Sequence, residues 1–286
     1  METDITGFLV VKERIASTFV SKQGTGRIIL AGDAAHVHSV NGGQGLNTGV
    51  ADAFALTWRV VTAIKSTSLT PDGALKLIRS YDTERRKVAQ EVINVAAKLV
   101  RDTIQTAKQY VATIEKNAAY ITGKREGISH SPPDQTHTTG LTLHDIGMGV
   151  SYDGLGSELI SESERGIWKA GKRCPDIYLS QSRSGTMRLY SMLSYGKFVV
   201  LAIGGPQGCH GYFTDVCTHL TLLPDAPREK HANGHSKEAP VEDNVFSSDI
   251  VPDDQTFMVV VRPDMYIGYV GEGDGWKDYL ASVFTH

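Results

Sequence analysis

The spacing of apolar residues changes character along the chain. Arg27-Ile28-Ile29-Leu30-Ala31 is a short apolar run that reads as a strand, and with Ile15–Val20 across Gly24-Thr25-Gly26 it forms a hairpin-like pair. Val50, Phe54, Thr57, Val61 and Ile64 then recur at helical spacing, predicting a helix over 48–65 whose apolar face packs on a sheet. Thr70-Pro71-Asp72 is a helix start, with Thr as N-cap, Pro at the first helical position and an acid in the first turn. That helix runs through Tyr81–Arg86 and on into the stripe Val88, Val92, Val95, Leu99 and Ile104. Glu84, Arg85 and Arg86 read as a solvated helix face with local ion pairs, with a ligand role as the alternative.

Residues 123–140, with Pro132-Pro133 and many polar residues, read as an exposed connection. Beyond them the period shortens. Lys197–Ile203 is continuously apolar, as a central strand is. Residues 207–223 are placed as a helix after Gly204-Gly205-Pro206. Thr256–Val261 and Met265–Val270 flank Arg262-Pro263-Asp264 as a hairpin, and Trp276–Phe284 closes as a helix. Strand, helix, hairpin, helix is the order of a thioredoxin-like core.

Composition narrows the function classes. A net charge of −3 gives no electrostatic reason to expect nucleic acid or an anionic membrane as partner. No apolar run approaches the roughly 18–20 residues that span a bilayer, and the acidic start Met1-Glu2-Thr3-Asp4 is unlike a leader peptide. Cys174, Cys209 and Cys217 are odd in number and lack CxxC spacing, which suits reduced thiols in the cytoplasm. Cys209 beside His210 reads as a structural pair rather than an activated thiol. The His and Cys spacings do not match a zinc site, so no metal is expected.

The candidate chemistry is concentrated in Gly32–Gly49. Gly42, Gly43, Gly45 and Gly49 fall within eight residues, between a strand and a helix N-terminus. Such a turn lets backbone N–H groups approach a ligand closely, and the helix dipole favours a polarised or negative group there. Asp33, at the strand's end, is placed to accept hydrogen bonds from ligand hydroxyls. His36 is read either as a proton relay or as a hydrogen-bonded structural residue.

Gly32-Asp33-Ala34-Ala35-His36, Gly42-Gly43-Gln44-Gly45-Leu46-Asn47-Thr48-Gly49 and Asp52-Ala53 together resemble the second flavin-binding motif of single-component FAD-dependent aromatic hydroxylases, most closely the phenol hydroxylase branch. The resemblance implies that Asp33 holds the ribityl chain of FAD. It implies that Gly42, Gly43, Gln44, Gly45, Leu46 and Asn47 lie along the flavin. Val40 stands where the family usually has proline, and Lys87 where a proline usually follows Tyr-x-x-Glu-Arg-Arg, so the second helix can continue unbroken.

Gly171–Asp176, Arg188-Leu189-Tyr190, Gly196–Leu201 and Val261–Asp264 resemble the C-terminal domain of the same enzymes, which is thioredoxin-like, redox-silent and involved in dimer contacts. The expected class is therefore α/β, with a partial glutathione-reductase-like FAD-binding domain over 1–122, a linker over 123–140 and a thioredoxin-like domain over 141–286. The implied activity is hydroxylation of a phenolic or other aromatic substrate with NADPH and O₂, by a homodimer.

No G-x-G-x-x-G fingerprint for the FAD pyrophosphate occurs in the sequence, so the resemblance covers only the second half of the family's architecture. Losing those contacts, at about 1.5–3 kcal/mol each, lowers affinity for FAD by decades. A flavin-free binding module, a non-redox enzyme or a dimerisation fragment are the competing readings. The N-terminal segment is expected to be poorly shielded.

Overall fold

The computed structural model describes residues 13–39, 43–121, 149–181, 185–205, 211–225 and 244–285. Along the chain run β1 (Arg14–Ile15), α1 (Ser21–Gly24), β2 (His36–Val37), α2 (Gly45–Lys65) and α3 (Gly73–Ile121). Then follow β3 (Glu164–Arg165), β4 (Trp168–Lys169), β5 (Tyr178–Gln181), β6 (Gly185–Arg188), β7 (Phe198–Ile203) and β8 (Cys217–Pro224). The chain closes with β9 (Val245–Ser248), β10 (Phe257–Val261), β11 (Ile267–Gly271) and α4 (Gly275–Ala281). The expected connection at 123–140 lies outside the described residues.

These elements form two compact units that interleave along the sequence. One comprises 1–17, 30–51 and 87–149; the other comprises 18–29, 52–86 and 150–286. The architecture is mixed α/β, as the sequence predicts.

In the first unit β1 and β2 pair antiparallel, with Ile15 opposite His36. The second unit is built on a seven-stranded sheet of order β11-β10-β7-β8-β9-β5-β6. β7, β8 and β9 are parallel, while β10 is antiparallel to β7 and to β11. β7 and β10 are buried at every position, which is why they read as unbroken apolar runs. Phe198, Val200, Ala202, Met258 and Val260 share one cluster with Trp58, Leu77, Trp276, Leu280 and Phe284. The sheet, α4, and residues from α2 and the start of α3 thus make one core.

Several local expectations change. The helix placed over 207–223 is not found over its last residues; Cys217–Pro224 is the strand β8, paired with β7 over six residues. Its run Thr-His-Leu-Thr-Leu-Leu carries two β-branched threonines, and the ladder to β7 decides the conformation. α3 begins at Gly73, because the Thr70 N–H and hydroxyl both donate to the Val283 carbonyl, at 2.9 and 3.2 Å, instead of capping the helix. It then continues through Lys87 without interruption, as the missing proline allows. Between Ile15–Val20 and Arg27–Ala31 the only antiparallel bridge is Val20 to Ile29, and the turn is the short helix α1. Phe19 and Val20 are fully buried while Ile28 is exposed, so shielding in this stretch is uneven.

The largest change concerns α2. Its apolar positions Val50, Phe54, Val61 and Ile64 are exposed, and the buried face is Asp52, Ala55, Trp58 and Arg59. The helix ends where the spacing predicts but starts three residues earlier, at Gly45, and the face opposite the apolar stripe is the one that meets the core.

Candidate flavin site

The glycine-rich segment lies within the first unit. Ala31 is extended, Gly32 adopts φ +58°, and Gly32–Ala34 form one turn of 3₁₀ helix carrying Asp33. A left-handed φ at this point is costly for any residue with a Cβ. The turn is tied down by Ala35 N–H donating to Gly32 O at 2.8 Å and Ala16 N–H to Ala35 O at 2.8 Å. The Asp33 side chain is exposed, and it has no hydrogen-bond or ion-pair partner among the described residues. A carboxylate in that state is available to a ligand hydroxyl.

Gly32 and Gly49 face each other, and a Cβ on either would lie 3.6 Å from the other's Cα. This close approach brings the 3₁₀ turn against the first turns of α2. Gly43 is again left-handed, at φ +63°. Gln44 is buried, and its carbonyl accepts both the N–H and the hydroxyl of Thr48 at 2.9 Å. Gln44 therefore sets the start of α2. The N–H groups of Gly45, Leu46 and Asn47 precede the first complete helical turn and have no intrahelical acceptor. Leu46 and Asn47 are exposed. Gly42, like Val40 and Asn41, lies outside the described residues.

Two histidines border this turn. His36 is buried and its ring stacks on that of His38, 6.4 Å between centroids and 10° from parallel. His38 Nδ1 is 2.8 Å from the Ser39 carbonyl, which can only accept, so Nδ1 donates, and in the neutral ring Nε2 is the acceptor. Nε2 is buried with no partner among the described residues, as is the Ser39 hydroxyl. A Cβ at Gly45 would stand 3.8 Å from Nε2, so this acceptor borders the start of α2. An unsatisfied buried acceptor, an exposed acid and a row of free N–H groups beside a glycine turn are the features a polar, hydroxyl-bearing cofactor such as FAD would satisfy.

The second unit contains a different polar cluster, and it is buried where the spacing predicts a solvated helix face. Glu84 is fully buried and Arg85 nearly so; only Arg86 sits on the solvated face, 3.3 Å from Asp82. Glu84 accepts from Arg59 Nη2 at 2.6 Å, from Arg262 Nη1 and Nη2 at 2.7 and 2.9 Å, and from the Ser157 hydroxyl at 2.6 Å. Asp264 accepts from Arg262 Nε at 3.0 Å and from Trp58 Nε1 at 3.1 Å. Arg59 also donates to Ser80 Oγ at 2.9 Å and to Ala55 O at 2.8 Å. Two guanidiniums and two carboxylates thus balance, and their hydrogen bonds are spent on one another.

Burial pushes the Glu84 pKa up, but Arg262 and Arg59 outweigh it and hold the carboxyl down at about 2. Beside this cluster Arg85 Nε donates to Asp52 at 2.7 Å, and Arg85 Nη1 lies 3.2 Å from the Tyr152 hydroxyl. Burial raises the Tyr152 phenol above its ordinary range, partly offset by Arg85. The signal was present in the sequence. Leu77, Tyr81, Glu84, Val88 and Val92 share one helical spacing, so Glu84 falls on the buried stripe.

Cys174 and Cys217 are free and buried. Burial, then Asp215, pushes the Cys217 thiol to about 12, and burial raises Cys174 further. Neither is an activated nucleophile. Cys209, His210, His231 and His235 lie outside the described residues. Among the described residues no helix is long and apolar enough to cross a membrane.

Comparison with known proteins points to FAD as the cofactor. Residues 9–96 match the family model described as FAD binding domain. A flavin-dependent monooxygenase of Mycobacteroides abscessus is 30% identical over 272 residues, covering 94% of this chain and 43% of that protein. A rifampicin monooxygenase of Rhodococcus hoagii is 28% identical, covering 90% of this chain and 42% of the relative. A phenol 2-monooxygenase of Aspergillus fumigatus is 29% identical, with coverages of 68% and 30%.

Among solved structures, BexE superposes with a TM-score of 0.60 at 19% identity, over 96% of this chain and 47% of that one. Aklavinone-11 hydroxylase with FAD and aklavinone gives 0.56 at 17% identity, over 94% and 44%. These two show the fold. The chain spans less than half the length of the relatives it matches. It is similar along most of its length to flavin-dependent monooxygenases, and FAD is the cofactor that this similarity supports.

Proposed function

We propose that this chain is the flavin-side portion of an FAD-dependent monooxygenase that hydroxylates a phenolic or other aromatic substrate with NAD(P)H and O₂. The observation that carries the reading is the exposed carboxylate of Asp33, without a partner among the described residues, beside the open N-terminus of α2. FAD, when bound, supplies the redox and oxygen chemistry. Asp33 would hold the ribityl hydroxyls as a hydrogen-bond acceptor, and the backbone from Gly43 to Asn47 would hold the flavin ring through its N–H groups. His38 Nε2 offers one further acceptor at the start of α2.

The C-terminal residues 141–286 are read as a thioredoxin-like, redox-silent domain that contributes to a cytoplasmic homodimer. The strand order β11-β10-β7-β8, with β7 and β8 parallel and β10 and β11 antiparallel, supports that reading, as do the two buried thiols. Residues 1–122 are read as the partial FAD-binding domain.

The test is a visible spectrum of the purified chain followed by titration with FAD. Saturable binding that Asp33→Ala removes supports the proposal. Binding that survives Asp33→Ala overturns the ribityl assignment, and no binding at high FAD favours a flavin-free module. Consumption of NADPH with simple phenols then reports competence.

A further inference from the structure

A cavity of about 150 Å³ lies within the second unit, where the end of α2 meets the start of β7 and the turn before β8. Among the described residues, none of its lining belongs to the glycine-rich segment. Its floor is apolar and buried: Phe198, Val216 and Phe284. Its rim carries Lys65 and Asp215, both exposed, so the cavity opens to solvent. The fold itself holds these walls. Phe198 N–H donates to Val216 O at 2.9 Å, and Leu69 bridges Phe284. Phe198 meets Trp58 and Phe284 edge-on, with ring centroids 5.9 and 5.5 Å away. A site framed in this way costs little ordering when a ligand enters.

Volume and rim together choose the ligand. A cavity of about this size with an apolar lining holds one benzene ring, and an aromatic floor favours a ring packed edge-on or offset against it. Lys65 offers an ammonium with no partner among the described residues. The Ser68 hydroxyl donates to one carboxylate oxygen of Asp215, which leaves the other oxygen as an acceptor. A carboxylate on the ring would gain from Lys65 and lose to Asp215, and an ammonium would do the reverse. An uncharged hydroxyl donates to the acid and accepts from the ammonium. We infer that this cavity is a binding site for a single aromatic ring bearing a hydroxyl. The inference does not draw on the flavin reading.

The experiment titrates the full chain, without added FAD, with phenol, benzoate and benzylamine near neutral pH, following the methyl signals of Val216 by NMR. Phenol is expected to shift them saturably, with a Kd on the order of 1 mM for a ligand of so few atoms. Benzoate and benzylamine, each charged at that pH, should bind at least about five-fold more weakly. Gly196 lines the cavity, and a Cβ there would meet only Ser194 Oγ, at 3.8 Å. Gly196→Leu should therefore fill the space, leave the melting temperature unchanged and weaken phenol by at least about ten-fold. Asp215→Asn keeps an acceptor for Ser68 and removes the charge, so it should tighten benzoate by about two- to five-fold. That exposed substitution reads the site even where Gly196→Leu does not fold. Val216 signals that do not move up to about 10 mM phenol, or phenol that binds Gly196→Leu as tightly as the unaltered chain, overturn the inference. A charged ring that binds as tightly as phenol overturns the ligand class, as does benzoate affinity that Asp215→Asn leaves unchanged.

Discussion

The glycine turn of the first unit and the charge cluster of the second use polar groups in opposite ways. Around Glu84, nearly every donor and acceptor is matched by another side chain, and water is excluded. Around Asp33, an acid is exposed, and among the described residues three helix N–H groups have no intrahelical acceptor and His38 Nε2 lacks a partner. A closed network has no bonds left for a ligand. An open one is costly unless something arrives to fill it. Charge and burial alone would have singled out Glu84 as the unusual residue; the satisfaction of its bonds shows that it belongs to the scaffold.

That contrast can be broken by substitution. Glu84→Gln should have the largest effect, because it leaves Arg59 and Arg262 buried around a neutral group. A loss of about 3–5 kcal/mol in unfolding free energy is expected by chemical denaturation, and a change below 1 kcal/mol would show that the cluster is solvated after all.

Acid should act through the same residue. The folded pKa of Glu84 lies below its ordinary 4.5, so its stabilising contribution is fully present above that pH and is lost as pH falls through about 2. Unfolding free energy measured from pH 5 down to 2 should fall by on the order of 3 kcal/mol from this group, and Glu84→Gln should flatten that part of the profile.

Asp33→Ala should do the reverse. An exposed acid without partners contributes less than about 0.5 kcal/mol to stability, whereas one lost charge-assisted hydrogen bond weakens FAD binding by about ten- to a hundred-fold. Equal losses in denaturation and in flavin titration would erase the distinction between the two regions.

The smallest effect sharpens the geometry of the turn. Gly32→Ala forces a side chain into a left-handed φ and should cost about 1–2 kcal/mol. Gly49→Ala, helical and with only ordinary contact to Gly32, should be neutral or stabilise by up to about 1 kcal/mol in a thermal melt.

Much of the fold was legible because it depended on local pattern. The glycine spacing marked the turn that opens α2, the unbroken apolar runs marked β7 and β10, and the absence of proline at Lys87 allowed α3 to continue. Three features were not local. β8 is a strand because β7 offers a ladder along its whole length. Thr70 fails to cap α3 because the Val283 carbonyl takes its N–H and hydroxyl.

The third is the orientation of α2. Helical periodicity identifies an apolar stripe, but not whether the stripe or its opposite meets the core of this chain. The sequence by itself determined that a glycine turn with one acid opens a helix, and that an apolar sheet follows. Only the tertiary structure decided that Arg59, Glu84, Arg262 and Asp264, drawn from three separate stretches, neutralise one another and so turn a charged face inward. The physical reason is that buried charge is tolerated only where its partners converge in space, and that convergence is not written in the spacing of any one segment.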